Sequence, residues 1–503
     1  VKIEEMIAAN RADCSGCEAC ANICPKNAIK MTRDAEGFAY PKINPELCIK
    51  CGRCDATCPA LNFKAKTIEE LPKIFAAINP NEKILRYSSS GGIFSALSEI
   101  VLKSGGVVFG ASFDKNWRVV HTSAKNLDEL KNLRGSKYVQ SKIGDVYRQV
   151  QSALKSTNVL FSGVPCQCAG LKHFLGRDYE NLLTVEIICH GVPSPALWEN
   201  YIGELGYAHE ITNVNFRSKR NGWGSWLNVT FADKEPVMIQ TVKNLYGKLF
   251  LGGISERPSC NVCKFKFPNG KSDLTLGDAW GIKEFLPEMY DKRGVSIVCV
   301  HTVKGKNFFE QANLKTQPVK FFDAVKKNPR FLSPTVSDSR RKKFFDELAK
   351  NPDWFAVMQK FYADDEAARK ETGKKNAAVF RNKLSAILAT VRQKFAQNIL
   401  VVSSVRDEAE QKNLALFFEQ GLKNCNLLFL QPKEEGQLVC TENFSGLKLD
   451  LQNVDALTDF VKQYNVAAVC VEKPLNFGDG SSAIVNWIEN CGLPIKLFAQ
   501  KAK

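Results

Sequence analysis

Eight of the 18 cysteines lie between residues 14 and 58, and they fall twice in the same pattern. Cys14, Cys17, Cys20 and Cys24 run into Pro25, and the spacing C-x2-C-x2-C-x3-C-P returns 34 residues later as Cys48, Cys51, Cys54 and Cys58 before Pro59. In a short secreted chain such crowding would read as a disulfide framework. Within 503 residues, at metal-ligand spacing, it reads as reduced thiolates that hold metal.

Two complete copies of the bacterial ferredoxin run predict a module with two 4Fe-4S clusters. Three cysteines in a tight loop wrap one face of a cubane, while the fourth, followed by proline, turns away and ligates the other cluster. The expected ligand sets are therefore Cys14, Cys17, Cys20 and Cys58 for one cluster, and Cys48, Cys51, Cys54 and Cys24 for the other. Structural zinc is the rival reading, but it usually takes two separated C-x2-C pairs per tetrahedral site. Clusters of this kind pass one electron at a time, so the module is a relay, and the rest of the chain must hold a donor or an acceptor.

The length exceeds the roughly 250–300 residues at which a single core stops growing, so several domains are expected. The fold class read from the sequence is α+β and α/β, multidomain. The expected domains are a ferredoxin module over 1–62, a mixed α/β domain over 70–325, a basic helical connector over 326–397 and a small parallel α/β domain over 398–503. Short β-branched runs predict strands at 107–113, 119–122, 158–161 and 182–188, with helices after Gly92 and over 143–155. In the connector, Phe380, Leu384, Ile387, Leu388, Val391 and Phe395 recur at helical spacing. Beyond Ile399, strand-like runs at 400–403, 427–430, 467–471 and 495–498 alternate with helical stretches. No G-x-G-x-x-G is present there to support nucleotide binding.

No apolar run approaches the roughly 18 residues needed to cross a bilayer, so no membrane span is expected. No basic segment leads into an apolar stretch at the start, which places the protein in the cytoplasm, in keeping with the oxygen-sensitive chemistry of an anaerobe. Lysine and arginine exceed aspartate and glutamate by 16. Bound clusters and a nucleotide cofactor would offset part of that excess. The cations Lys326, Lys327, Arg340, Arg341, Lys342 and Lys343 raise the question of nucleic acid. No recognised nucleic-acid motif accompanies them, and charge runs are usually solvated faces, so no such partner is expected.

Further motifs place cysteine, glycine or aspartate at turns beside apolar strands: FSGVPCQCAG (161–170), EIICHGVPSP (186–195), RPSCNVCKF (257–265) and SDLTLGDAWG (272–281). Together with SSSGGIFSAL (88–97) and RGSKYVQS (134–141), these blocks resemble the coenzyme F-420 hydrogenase/dehydrogenase β-subunit family over about residues 1–325. The resemblance implies an iron-sulfur flavoprotein with FAD, and a third 4Fe-4S cluster on Cys166, Cys189, Cys260 and Cys263. Ser88, Ser89, Ser90, Gly91 and Gly92 run straight into a helical pattern, offering hydroxyls and free amides to a pyrophosphate, although serine and glycine also make ordinary caps. Ser136, Lys137 and Tyr138 resemble the family's flavin-contacting stretch, where lysine could counter phosphate charge or the reduced flavin and tyrosine could stack on the ring. His190 could tune the cluster or sit near the flavin, and Asp273 or Asp278 could bind flavin or substrate or merely cap a turn. Cys168, where relatives usually carry an aliphatic residue, reads as a small core side chain. Cys299, Cys425, Cys440, Cys470 and Cys491 are assigned no function.

The function implied is an oxidoreductase in which FAD exchanges hydride with an organic carrier or substrate, F-420-like or other. Ferredoxin or a partner oxidoreductase would complete the circuit. The alternatives are a wiring subunit that moves electrons between proteins without catalysis and, less favoured, a nucleic-acid-binding iron-sulfur protein.

Overall fold

The computed structural model describes residues 2–68, 71–363 and 366–395, and beyond them the strands Gln397–Val402, Cys425–Glu434, Gln437–Thr441, Lys448–Asp450, Val466–Glu472 and Ile495–Phe498. The chain divides into two compact units, Val1–Leu384 and Ser385–Lys503.

The first unit is built on an eight-stranded mixed sheet. Its centre is four parallel strands, Val107–Phe113, Val159–Gly163, Leu182–Ile187 and Leu274–Asp278, side by side in that order. These read as continuous apolar runs because strands covered on both faces need no polar side. Leu160, Phe161, Leu183, Val185 and Leu274 are all buried. Antiparallel strands close both flanks: Val119–Ala124 on one, and Ser296–Val300, Lys73–Ile78 and Lys315–Val319 on the other. The helix Ile93–Lys103 follows Gly92 as expected, the expected helix over 143–155 is shorter, Val146–Ala153, and Pro165–Leu175 is a further helix that the sequence reading did not include.

The ferredoxin segment is a hairpin, Ile29–Arg33 against Ala39–Ile43, with short helices Ala19–Ile23 and Arg53–Thr57 after the two cysteine loops. It is tied to the main sheet domain by polar side chains. Arg148 donates to the carbonyls of Ala21, Asn22 and Cys24, Glu18 accepts from the amides of Ile143 and Gly144, and Arg33 pairs with Glu199 at 2.6 Å.

The stretch expected as a connector is helical, but through Leu384 it belongs to the first unit. Phe344, Phe345, Leu348, Val357, Met358 and Phe361 from Arg341–Leu348 and Trp354–Ala363 are buried in one cluster with Trp198, Tyr201, Phe216 and Tyr246. Burial of that aromatic stripe outweighs the high lysine and arginine content that suggested a solvated link. Four of its six singled-out cations meet carboxylates: Lys327 with Glu284, Arg340 with Asp338, Arg341 with Glu36 and Lys342 with Asp346.

In the second unit the six described strands form one sheet in which Cys425–Glu434, Gln397–Val402, Val466–Glu472 and Ile495–Phe498 run parallel. Gln437–Thr441 and Lys448–Asp450 add antiparallel strands, so the sheet is mixed rather than wholly parallel as expected. The helical stretches expected between these strands lie outside the described residues. Among the described residues no helix is long and apolar enough to cross a membrane.

Candidate functional site

The 34-residue repeat is conformational as well as chemical. Gly16 and Lys50 occupy equivalent positions and both have positive φ (68° and 54°), as do Glu18 and Gly52 (62° and 71°). Each loop turns back through the left-handed region between its first and third cysteines, so that three thiols face one side. The two copies differ in what surrounds them. Added atoms at Gly16 would meet the Arg257 guanidinium at 2.8 Å, whereas nothing lies within 4 Å of a side chain added at Gly52, the second-loop counterpart of Glu18.

Cys14, Cys17, Cys20 and Cys58 line a single small cavity, together with Pro59. Burial, and then the neighbouring Cys58 and Cys14, push the Cys17 thiol up to about 12. Cys20 is raised for the same reason, with Cys17, Cys14 and Cys58 as its charged neighbours. Thiols so reluctant to ionise need a cation to become thiolates, which is what bound iron supplies. Of the second set, Cys48 and Cys54 lie near each other, Cys51 is exposed, and the Cys24 sulfur accepts from the Ala28 amide at 3.3 Å. Cys24 ends the helix Ala19–Ile23, which packs on Arg53–Thr57.

The four cysteines expected from distant motifs also converge. Cys166 opens the helix Pro165–Leu175 beyond the strand Val159–Gly163, Cys189 follows Leu182–Ile187, and Cys260 and Cys263 lie on the turn after Arg257. All four line one small cavity. The Cys166 thiol is raised well above its ordinary value by burial, then by Cys263, Cys189, Cys260 and Cys17. Burial and the neighbouring Cys189 and Cys263 also raise Cys260, whose sulfur accepts from the Val192 amide at 3.4 Å. Among the described residues no three His, Cys, Asp or Glu side chains converge closely enough to hold a single metal ion. Cys168 and Cys299 are buried, Cys168 in the apolar cluster that also contains Cys17.

A cleft of about 600 Å³ opens at the carboxyl ends of the parallel strands, where open α/β sheets bind ligands. It is lined by Gly110 and Ala111, Ser162 and Gly163, Ile187 and Ile188, and Leu276 through Asp278, each pair or run from a different strand. Ser88, Ser89, Ser90, Gly92, Ser136, Lys137, Tyr138 and His190 all line it as well. The helix Ile93–Lys103 begins at Gly92 in the left-handed region, with no side chain capping its first amides, so those amides remain available to an anion.

The serine hydroxyls are committed elsewhere. Ser88 donates to the Ile84 carbonyl and Ser90 to that of Val295, while Ser89 accepts from the Ser136 amide. Gly91 does not line the cleft; its amide donates to Ser296, and its backbone packs so closely on the Ala77 carbonyl that any side chain would collide at 2.2 Å. Lys137 donates to the carbonyls of Asn132 and Arg134, and desolvation pushes its ammonium down to about 7. The Tyr138 ring packs on Phe216 and Phe250, and its hydroxyl accepts from Arg217. His190 sits in the wall between cleft and third cysteine set, 3.6 Å from Glu256. Burial pushes it down to about 3, so the ring is neutral.

Sequence reading missed Arg217 and Arg257. Arg217 makes a buried, two-pronged pair with Asp278 at 2.7 and 2.8 Å and also holds the Ser89 carbonyl. Asp278, which lines the cleft, additionally accepts from Trp223, and Asp273 is taken up by Thr184 and Thr302. Neither arginine has a local signal, because its partners lie far along the chain.

Two ferredoxin-like cysteine loops joined to a cleft-bearing mixed sheet define an iron-sulfur redox protein. Residues 13–62 match the 4Fe-4S dicluster domain; residues 74–148 match the N-terminal part, and 156–320 the C terminus, of the beta subunit of coenzyme F420 hydrogenase/dehydrogenase. The chain belongs to this beta-subunit family. Its relatives include one of the subunits of the F(420)H(2) dehydrogenase of Methanosarcina mazei, 24% identical over 192 residues that make up 35% of this chain and 53% of that protein. The chain thus spans about half the length of that relative. An uncharacterised protein of Methanocaldococcus jannaschii is 22% identical over 61% of this chain and 88% of its own length. The VorC subunit of ketoisovalerate oxidoreductase from Methanothermobacter marburgensis is 36% identical over 55 residues, 10% of this chain and 70% of that one. Among solved structures, the xenon-derivatised F420-reducing [NiFe] hydrogenase complex of Methanosarcina barkeri aligns with a TM-score of 0.37 and 18% identity, covering 59% of this chain and 94% of its own.

Proposed function

We propose that the protein is an iron-sulfur flavoprotein oxidoreductase that binds FAD in the cleft and three 4Fe-4S clusters on the cysteine sets described above. The observation that carries this reading is that the three sites share walls. Val164, Cys189, His190, Gly191 and Val192 line both the cleft and the third cysteine cavity. That cavity in turn shares Ser15 and Ala60 with the first ferredoxin cavity. The second ferredoxin set ends at the exposed Cys51, a surface exit towards ferredoxin or a partner oxidoreductase.

FAD, when bound, supplies the conversion between a two-electron hydride and single electrons. The protein's part is to hold and insulate. The uncapped amides of Ile93, Phe94 and Ser95 receive a pyrophosphate. Tyr138, Ile187 and Leu276 supply apolar wall. Lys137, half its charge lost near neutrality, stands ready to regain a proton beside an anionic ligand. An organic hydride carrier or substrate, F420-like or other, enters by the open side of the cleft, where Trp280 is partly exposed.

Anaerobic loading followed by iron and flavin counting tests the reading, with about twelve irons and one FAD per chain as the expected result. Cys260→Ala should remove about four irons and leave the ferredoxin clusters intact. A chain that takes up no flavin, or a C260A protein with full iron, would refute the corresponding assignment.

A further inference from the structure

Arg257 is fully buried, and no carboxylate pairs with it among the described residues. The other buried arginine, Arg217, is clamped by Asp278. A guanidinium carries its charge at every physiological pH, and a charge taken out of water needs an opposite charge or is strongly destabilising. The partners of Arg257 are the carbonyls of Cys14 and Ala39, the Gln140 side chain, the Cys14 sulfur at 3.7 Å, and the ring of Tyr40 at 4.1 Å. Of these direct partners only the sulfur takes a negative charge, once it is a thiolate holding iron; the nearby Glu18 carboxylate feels the Arg257 charge but accepts its hydrogen bonds from the Ile143 and Gly144 amides.

Glycine at position 16 fits the same picture. Atoms added there would sit 2.8 Å from Arg257 Nη1, so the first cluster loop is shaped to let the guanidinium lie against it. The second loop carries the exposed Lys50 at the matching position, and the arginine that reaches its set, the half-buried Arg148, donates to the Cys24 carbonyl and not to a sulfur. Arg257 also begins the turn that carries Cys260 and Cys263, placing it between the third set and the first ferredoxin set.

On the proposed cluster assignment, we infer that Arg257 is the counter-ion of the Cys14, Cys17, Cys20 and Cys58 cluster and raises its reduction potential above that of its twin on Cys48, Cys51, Cys54 and Cys24. In the one-electron step the first cluster, when bound, would pass from the 2+ to the 1+ core as a redox partner such as a neighbouring cluster is oxidised by one electron. The fixed positive charge favours the more negative, reduced form. Arg257 acts here as a positioning and tuning residue and touches no substrate.

The test is a redox titration of the anaerobically loaded full chain, followed by electron paramagnetic resonance, with Cys20→Ala used to identify the component that belongs to the first cluster. Arg257→Gln should retain about twelve irons and lower the potential of that component so that its reduced fraction at fixed potential falls at least tenfold, about 59 mV for one electron. Arg257→Lys, which keeps the charge, should stay close to wild type. Loss of the cluster from R257Q alone also supports the inference, since the charge is then needed to hold the anion. Equal potentials in wild type and R257Q overturn it, as does loss of the cluster from R257Q and R257K alike, which would make Arg257 a packing residue only. Wild-type protein that binds no iron on the first set fails at the cluster assignment instead, so the two failures are told apart.

Discussion

Asp278→Asn should be among the most damaging single-atom exchanges in the first unit. The side chain keeps its shape but loses its charge, leaving the Arg217 guanidinium, 3% exposed, without a carboxylate. Removing one partner of a buried ion pair costs about 3–5 kcal/mol, because the remaining charge stays desolvated. The damage would spread into the cleft, since Arg217 holds the Ser89 carbonyl at 3.0 Å and the Tyr138 hydroxyl at 3.2 Å, and Trp223 donates to the same carboxylate at 2.9 Å. Urea unfolding followed by tryptophan fluorescence reads this directly, because Trp223 and Trp280 stack on one another at 5.0 Å beside the pair. The double variant R217M/D278L should be less destabilised than D278N, since replacing both charges removes the desolvation penalty. D278N within about 1 kcal/mol of wild type would refute the claim that the pair is buried and isolated.

Two further outcomes follow from the same reasoning. Gly16→Ala should destabilise the ferredoxin segment more than Gly52→Ala: both place a side chain at positive φ, a penalty of about 1–2 kcal/mol, but only the first also drives into Arg257. Equal melting shifts would remove the steric part of that account. Burial holds the Glu256 carboxyl up at about 8, and neither of its oxygens has a hydrogen-bond partner. A group whose folded value is raised lends stability that is complete below its unfolded value of about 4.5 and is lost as the pH rises through about 8. Glu256→Gln should therefore be more stable than wild type at pH 9 and not at pH 4; parallel pH profiles for the two proteins would contradict this.

Much of the site was legible because its signal is local. Two cysteine runs at fixed spacing define the loops, and their pairing of three cysteines with a distant fourth follows from the shape of a cubane; the structure brings Cys58 to Cys14, Cys17 and Cys20 as that spacing demands. The apolar strand runs and the glycine-started helix at Ile93 were likewise readable. The serines of 88–90 line the cleft, but their hydroxyl partners were not legible, since a hydroxyl that could meet a phosphate can equally satisfy a neighbouring carbonyl, and only packing decides between them. The connector misled, because charge counted along a chain does not reveal that aromatic residues between the charges find a core.

What the sequence by itself determined is the spacing of the candidate ligands: two runs of four cysteines, each at intervals a backbone loop can wrap around an iron-sulfur cluster. The tertiary structure alone decided their order in space, with cleft, third set and first ferredoxin set sharing walls. It also decided which cations lie beside them: Arg257 reaches Cys14 across 243 residues and Arg217 reaches Asp278 across 61. Short-range spacing is fixed by covalent geometry and can be read in one dimension. A buried charge and its counter-ion meet only when the chain has folded.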